Sequence, residues 1–432
     1  MDRQAEVTGC LNGNFRGDGF GPISGRFSAK AVSGMVVLTD EADREIARSP
    51  SIRLTASEDS TFELFNVTIG TEFHWERKED QAFQGNLVLR PRPDGTIAVI
   101  NEIPLEDYLK SVISSEMNPA APVEFLKVHS ILSRSWLLAA LDRKKKTGET
   151  SLPARKIPGK EGEVIRWYDR EDHDLFDVCA DDHCQRYQGV RKIASTQAGE
   201  AVRETFGRVI TYQDEICDAR YSKACGGLTE DFDTAWDDKA VPYLTSIPDA
   251  PLPHPPIQTE EEAARWILSD PEAYCHTEDE VFLEKILPAF DRETKSFFRW
   301  TIEYSREELE RILREKSGFD FGDLREIIPL RRGASGRICR MKIIGSKKSM
   351  VVGKELEIRR WLSRSHLYSS AFLVRIRYDS RGKAERFILH GAGWGHGVGL
   401  CQIGAAVMAT RGFSAEQILK HYFRGSEIKK IY

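Results

Sequence analysis

The chain has 432 residues, more than the roughly 100–200 residues that one domain usually holds, so two or more structural units are expected. Its 62 basic and 67 acidic residues give a formal net charge of -5, and no basic block is longer than residues 143–146, so a nucleic-acid partner gains no support. No apolar run reaches the about 18 residues of a membrane-spanning helix, and eight irregularly spaced cysteines do not form a disulfide framework.

The N-terminal hundred residues are predicted to form a sheet-rich unit. Residues 1–6 lack the basic and then apolar stretch of a secretory leader, which indicates either that the protein is not exported or that a leader has been removed. Short runs of β-forming residues at 51–54, 61–65 and 95–100 are separated by turns that contain Asp and Gly.

Two helices are predicted to follow. Pro104 opens the first, whose apolar residues recur at helical spacing until the chain reaches Asn118 and Pro119. The second runs from about residue 122 to 143, and apolar residues occupy so many of its faces that it is expected to be the buried centre of a core.

The rest of the chain mixes strands and helices. Strand-like runs occupy 190–250, whereas 258–316 is helical and highly charged, which favours a peripheral, solvated insertion. After Pro329 come further strands, a glycine-rich loop and two closing helices, the last of which begins with capping-box spacing at Ser414 and Gln417.

These patterns predict an α+β fold. The expected divisions are a β-rich region at 1–100, a core at 101–250, a charged, mostly helical insertion at 251–328, and a second part of the core at 329–432.

Glu116 is the first candidate for a chemical role. It stands where the first helix must end, and reactive groups are commonly placed at such junctions, although an ordinary helix-end glutamate is the alternative. Arg134 lies between apolar neighbours on the second helix, and a buried guanidinium needs an acceptor. Glu116 is a candidate partner if the two helices pack as a hairpin, and that ion pair would serve either catalysis or only helix orientation.

Two histidines and two cysteines lie within twelve residues: His173, Cys179, His183 and Cys184. They form the ligand set of a tetrahedral zinc site, although their spacing is not that of a zinc finger. A disulfide or free thiols are the alternatives. Because four protein ligands complete the coordination of a metal, the sequence predicts Zn2+ in a structural role.

Tyr221, Ser222 and Lys223 place a phenol, a hydroxyl and an amine just before a Gly-Gly turn. Such alternating polar groups either line a saccharide cleft or belong to an ordinary strand and hairpin.

Glycine occupies every second position from 391 to 399. The loop matches neither a phosphate-binding loop nor a dinucleotide fingerprint. The ring of Trp394, flanked by glycines, is suited to stacking on a sugar, and His390, His396 and Gln402 can hydrogen-bond sugar hydroxyls. The alternative is a strained turn that packs a helix onto a sheet.

Four segments together resemble the motifs of the SpoIID/LytB family, in the same order and context: Ile103–Leu109, Ser114–Met117, Gly226–Glu230 and Gly393–Ala405. The resemblance covers roughly residues 50–250 and 329–432. It implies a peptidoglycan lytic transglycosylase in which Glu116 is the single acid/base residue. The chain departs from the family in carrying Arg134-Ser135-Trp136 where Arg-Thr-Tyr is common.

The resemblance also implies supporting catalytic roles for Arg134, Tyr221 and Lys223, and a zinc ion in the His/Cys set. The implied partner is the peptidoglycan glycan strand, so the expected location is the cell envelope, the periplasm or the exterior. Two hypotheses compete: a non-catalytic peptidoglycan-binding module that activates a cell-wall amidase, and a hydrolase whose catalytic metal is held by the His/Cys set.

Overall fold

Buried and exposed side chains alternate along the N-terminal strands, as expected for a sheet with one face on a core. The structure, a computed structural model, describes residues 1–71, 76–147, 161–167, 173–293 and 296–432. The strands are β1 (Glu6–Gly17), β2 (Phe20–Val32), β3 (Met35–Asp40), β4 (Glu45–Ser49), β5 (Ile52–Ala56), β6 (Thr61–Ile69), β7 (Arg77–Gln84), β8 (Asn86–Pro91), β9 (Ile97–Glu102), β10 (Glu163–Ile165), β11 (Arg208–Tyr212), β12 (Glu215–Ile216), β13 (Tyr221–Ser222), β14 (Arg299–Ser305), β15 (Leu324–Arg332), β16 (Ile338–Gly345), β17 (Ser349–Gly353), β18 (Phe372–Tyr378), β19 (Ala384–Ala392), β20 (Leu400–Cys401) and β21 (Glu427–Lys430).

The helices are α1 (Leu105–Glu116), α2 (Val123–Thr147), α3 (Thr196–Glu204), α4 (Phe232–Ala235), α5 (Glu260–Leu268), α6 (Glu280–Ile286), α7 (Arg306–Ser317), α8 (Glu355–Trp361), α9 (Gln402–Thr410) and α10 (Ala415–Tyr422), with short 3-10 helices at Val190–Lys192 and Ala289–Glu293. None of the described helices has the length and apolar composition needed to cross a bilayer.

The described residues of 1–120 and 173–206 form a first compact unit. Its antiparallel sheet has the strand order β4-β3-β2-β1-β5-β8-β9, and β6 pairs with both β1 and β7. Phe15, Phe62 and Leu87 are completely buried on it. The predicted sheet-rich N-terminal region is therefore confirmed.

The described residues of 121–172 and 207–432 form a second unit. Helix α2 lies at its centre, in contact with β11, α9 and α10, and every residue from 128 to 137 is buried, as predicted. The unit also contains smaller sheets, with the orders β10-β17-β16-β15, β12-β11-β21, β13-β20 and β14-β19-β18. The chain thus has the predicted α+β fold, while its predicted division at residues 100, 250 and 328 stays a prediction.

The charged segment 258–316 is not peripheral, so that expectation is wrong. Strand β14 pairs along its whole length with β19, and α7 buries Leu309, Ile312 and Leu313 in a hydrophobic core of this unit. The physical reason is amphipathicity. Charged residues cover the outward face of α7, whereas these three apolar residues recur at the spacing of one helix face.

The predicted capping box of α10 is confirmed: Ser414 Oγ accepts a 3.3 Å hydrogen bond from the Gln417 N–H, and Gln417 Oε1 accepts one of 2.9 Å from the Ser414 N–H. Because an N-cap hydroxyl satisfies a helix N–H group, Ser414→Ala should lower the free energy of unfolding by about 1 kcal/mol in urea denaturation. Ser380→Ala, in an exposed turn, is the control and should cost less than about 0.5 kcal/mol. Equal effects of the two substitutions would contradict the role of the cap.

Candidate functional site

Glu116 is the last residue of α1, and its side chain is only 7% exposed. The helix ends there because Met117 adopts an extended conformation ahead of Pro119. Glu116 Oε1 accepts a 3.0 Å hydrogen bond from the backbone N–H of Arg186. The structure thus places a buried, oriented carboxyl group at the helix end that the sequence singled out.

The segment 185–189 is bonded along one face of α1. The Ser115 hydroxyl accepts a 3.2 Å hydrogen bond from the Gln188 N–H, and the Ser111 hydroxyl donates one of 2.9 Å to the carbonyl of Gly189. Both serines are almost completely buried. Polar side chains on the buried face of α1 therefore fix the same segment that bonds Glu116.

A second carboxyl group, Asp182, lies within electrostatic reach of Glu116. Burial raises the pKa of Asp182 to about 7; the Arg186 guanidinium opposes this shift, and the carboxyl groups of Asp181 and Glu116 add to it. Asp182 Oδ1 accepts a 2.6 Å hydrogen bond from Arg186 Nε. Asp182 and Arg186 were not predicted as site residues. The one feature of the sequence that could have indicated them is their proximity to the His/Cys set.

His173, Cys179, His183 and Cys184 come together in the first unit. One ligand atom from each lies within 4.8 Å of all the others, and His173 Nε2 is 3.2 Å from Cys184 Sγ. Both cysteines are free thiols. A hydrogen bond with Cys184 lowers the pKa of Cys179 against the opposing effect of burial, which favours the thiolate that a metal binds. Two imidazoles and two thiols at this separation fit a tetrahedral metal ion.

Arg134 lies in the second unit, on α2, and is completely buried. Its Nη1 donates hydrogen bonds to the backbone carbonyls of Arg208, at 3.0 Å, and Ser130, at 3.4 Å. Backbone carbonyl oxygens thus accept hydrogen bonds from one nitrogen of this buried guanidinium.

Tyr221 and Ser222 form β13, which pairs in parallel with β20, and Lys223 follows directly. Lys223 Nζ lies 2.8 Å from Asp291 Oδ2, and both side chains are less than 10% exposed, so the amine belongs to a buried ion pair. Asp291 belongs to the charged segment, and sequence reasoning missed it. The hydroxyl of Ser222 is buried without a hydrogen-bond partner among the described residues.

Gln402 begins α9 and is only 2% exposed. Its Nε2 donates to His129 Nε2, at 2.9 Å, so the proton of a neutral His129 ring lies on Nδ1 and is donated to Ser133 Oγ, at 3.1 Å. The amide of Gln402 is therefore bound to the interior of its own unit, and its contact with a sugar stays a prediction.

The glycine-rich loop surrounds the completely buried guanidinium of Arg337. Arg337 Nη1 donates to the carbonyl of Cys225, at 3.1 Å, and its Nε donates to that of Gly395, at 3.2 Å. Gly397 has a φ of 76°, and a Cβ on it would lie 2.4 Å from Arg337 Cζ. At Gly397, left-handed backbone and close approach to a cation therefore both require glycine.

The ring of Trp394 is partly covered within its own unit. It stacks on Tyr368, with ring centroids 4.1 Å apart and planes inclined by 16°. His390 lies on β19, where its Nδ1 is 3.0 Å from the hydroxyl of Thr301 on β14. Tyr368 covers one face of the indole, and stacking of Trp394 on a sugar stays a prediction.

His396 is held in one tautomer. Its Nδ1 accepts a 3.0 Å hydrogen bond from the Val398 N–H, so the neutral ring carries its proton on Nε2. Burial, together with the guanidinium groups of Arg220 and Arg337, lowers the pKa of His396 well below its usual range. At neutral pH this side chain is therefore uncharged, and its hydrogen bond with the backbone of Tyr221 uses the Nε2–H group.

Comparison with known proteins gives two family matches. The family model described as Stage II sporulation protein matches residues 93–212, and that of a domain of unknown function (DUF8618) matches residues 230–399. Residues 93–212 contain Glu116, Arg134 and the whole His/Cys set.

Three curated relatives extend these matches. An uncharacterized protein of Brachyspira hyodysenteriae is 25% identical over 80% of this chain and 72% of its own length. Stage II sporulation protein D of Bacillus amyloliquefaciens is 22% identical over 77% of this chain and 76% of its own. The amidase enhancer of Bacillus subtilis is 24% identical over 74% of this chain, which spans only 40% of that relative.

Gly397→Ala should strongly destabilise the second unit, because the added methyl group meets Arg337 and because φ is positive. Gly382→Ala is the matched control, since Gly382 has a φ of 72° and nothing within 4 Å of the added Cβ. Thermal unfolding should show a cost of about 1 kcal/mol for the control and several times more for Gly397→Ala. Similar losses would show that Arg337 can move aside.

His396→Gln should weaken the acid sensitivity of the fold. Because the folded pKa of His396 is lowered, its neutral form stabilises the protein above the unfolded pKa of about 6.5, and this contribution is lost as pH falls. Between pH 7 and pH 5 the wild type should lose up to about 2 kcal/mol more unfolding free energy than the variant. Parallel pH dependences in urea denaturation would contradict the lowered pKa.

Proposed function

The chain belongs to the SpoIID family, and from this premise we propose that it is a lytic transglycosylase that cleaves the glycan strands of peptidoglycan. The observation that carries the proposal is the buried carboxyl group of Glu116 at the end of α1, oriented by the backbone N–H of Arg186. Burial removes a carboxyl group from water, and one oriented in this way is suited to proton transfer with a bound ligand.

One carboxyl group is sufficient for this reaction. Glycosidases normally use two, because one of them activates a water molecule or attacks the sugar. In a lytic transglycosylase the muramoyl 6-hydroxyl attacks the anomeric carbon and closes a 1,6-anhydro ring. Glu116 gives its proton to the glycosidic oxygen as the C–O bond breaks, then takes the proton of the 6-hydroxyl, which regenerates the acid.

The remaining predicted residues are assigned supporting roles. Arg134, Tyr221 and Lys223 are proposed to assist catalysis, with Asp291 setting the position of the Lys223 amine. Five residues are proposed to contact the sugars: Ser222, His390, Trp394, His396 and Gln402.

We assign Zn2+ to His173, Cys179, His183 and Cys184. Four protein ligands complete a tetrahedral shell, so the ion has a structural role and supplies no reactive group. The proposed ion also affects the position of Glu116. Cys184 directly precedes the segment 185–189 that bonds α1 and Glu116, so a metal at this cluster would hold that segment in place.

The proposed substrate also sets the proposed location. Peptidoglycan lies outside the cytoplasmic membrane, so the enzyme would work in the cell envelope, in the periplasm or outside the cell.

A second candidate function is a peptidoglycan-binding protein that stimulates a cell-wall amidase without cleaving glycan. It is favoured by the match to the relative named amidase enhancer. On this hypothesis Glu116 is a structural residue, and amidase stimulation survives its replacement.

Glu116→Gln should reduce the release of anhydro-muramoyl products from purified glycan strands by about 100-fold or more, because an amide cannot act as the general acid. Mass spectrometry of the products is the measurement. Glu102→Gln is the matched control: the same change at an exposed glutamate of the same unit, which should leave the release rate near that of the wild type.

One result would reject lytic cleavage, and another would reject only the role of Glu116. Wild-type protein that yields no anhydro product contradicts lytic cleavage, and amidase stimulation unaffected by Glu116→Gln would then support the second candidate. Cleavage that continues at the wild-type rate in the Glu116→Gln variant contradicts the acid/base assignment alone.

A further inference from the structure

A second cluster of potential metal ligands lies inside the second unit, apart from the His/Cys set. It consists of Cys225, Asp249, Cys275 and Cys401, each no more than 2% exposed. One ligand atom from each residue lies within 4.8 Å of all the others. Cysteine and aspartate converge here from four separate stretches of the chain, a convergence that no local spacing in the sequence indicates.

We infer that this cluster binds a structural Zn2+ ion through three thiolates and one carboxylate oxygen. Cys225 Sγ and Cys275 Sγ lie 3.7 Å apart. With zinc–sulfur bonds of about 2.3 Å, a tetrahedral site separates two sulfurs by about 3.8 Å. The observed separation is that of two ligands of one ion, whereas a disulfide needs about 2.05 Å.

The donors around the cluster point toward the ligand atoms. The Cys225 N–H donates to Cys401 Sγ, at 3.2 Å, and the Cys275 N–H donates to Asp249 Oδ2, at 2.9 Å. The hydroxyl of Tyr422 donates to the other carboxylate oxygen, Oδ1. Hydrogen bonds donated to ligands orient them and stabilise their anionic forms, as in the outer shell of metal sites.

The carboxyl group of Asp249 has the geometry of a metal ligand. Each of its oxygens accepts a hydrogen bond from the protein, and each keeps a second lone pair for a metal. Gly404 supports the arrangement, because a Cβ there would lie 2.4 Å from Asp249 Oδ1.

Two guanidinium groups lie beside the turn that carries the first ligand. Three thiolates and one carboxylate outweigh a divalent ion by two negative charges. Arg337 Nη1 donates to the carbonyl of Cys225, at 3.1 Å, and Arg299 Nη1 donates to that of Gly226, at 3.0 Å. Both cations therefore bond the backbone of the turn that carries the first ligand, and thiolate-rich ligation favours zinc over the hard cations.

The ion would join the charged segment to two other stretches of the second unit. Cys275 belongs to the segment 258–316. Cys225 lies three residues after Ser222 and two after Lys223, and Cys401 directly precedes Gln402. With no open coordination position, the site is structural. It does not depend on the proposed function.

The test uses the full chain with Cys179→Ser and Cys184→Ser, which removes two ligands of the other cluster. Mass spectrometric metal analysis should find one zinc ion per chain in this variant. X-ray absorption at the zinc edge should show three sulfurs at about 2.3 Å and one oxygen at about 2.0 Å. A folded variant that retains no zinc, or zinc with fewer than three sulfurs, would overturn the inference. A Cys225–Cys275 disulfide in non-reducing peptide maps would also overturn it.

Further substitutions in that variant separate loss of a ligand from loss of the fold. Cys275→Ser should remove the zinc, whereas Cys275→His, which supplies another zinc ligand, should retain it. Cys217→Ser, at a buried cysteine outside both clusters, should leave the zinc content unchanged. Zinc retained at full occupancy in Cys275→Ser would contradict the assignment of that ligand. None of these readouts involves glycan cleavage, so this inference and the proposed function can fail separately.

Discussion

A buried carboxyl group must be hydrogen-bonded, and this constraint organises the first unit around Glu116. The Arg186 N–H meets the requirement, and the flanking segment is held to α1 by serine hydroxyls. The His/Cys cluster lies immediately before that segment in the chain. Helix α1 and the segment 185–189 therefore both contribute to placing a single side chain, and the proposed chemistry requires only that one carboxyl group.

In the second unit a buried cation, the guanidinium of Arg337, must likewise be hydrogen-bonded. The buried guanidinium of Arg337 donates to backbone carbonyls, and Gly393 and Gly397 leave room for it, since a Cβ there would lie 2.8 Å and 2.4 Å from its atoms. Part of the conspicuous glycine pattern is thus explained by the interior of the protein, whatever ligand the loop also contacts. The same guanidinium bonds the turn that carries Cys225, which links the loop to the proposed second metal site.

Features set by local sequence could be predicted, and features set by long-range contacts could not. The cap at Ser414, the burial of α2 and the end of α1 at Glu116 follow from residues a few positions apart. The bond between His129 and Gln402 joins residues 273 positions apart. The many charged residues of the segment 258–316 hide the apolar face of α7 in the sequence. For this reason the sequence did not predict that the segment belongs to the core.

Glu116 is proposed to meet the scissile bond, and a crystal structure of the Glu116→Gln variant with a bound glycan oligomer would show whether it does. A glycosidic oxygen should lie within hydrogen-bond reach, about 2.6–3.2 Å, of the side chain at position 116, with the adjoining muramoyl ring on the side of its 6-hydroxyl. A glycan bound with no glycosidic oxygen near position 116 would contradict the account.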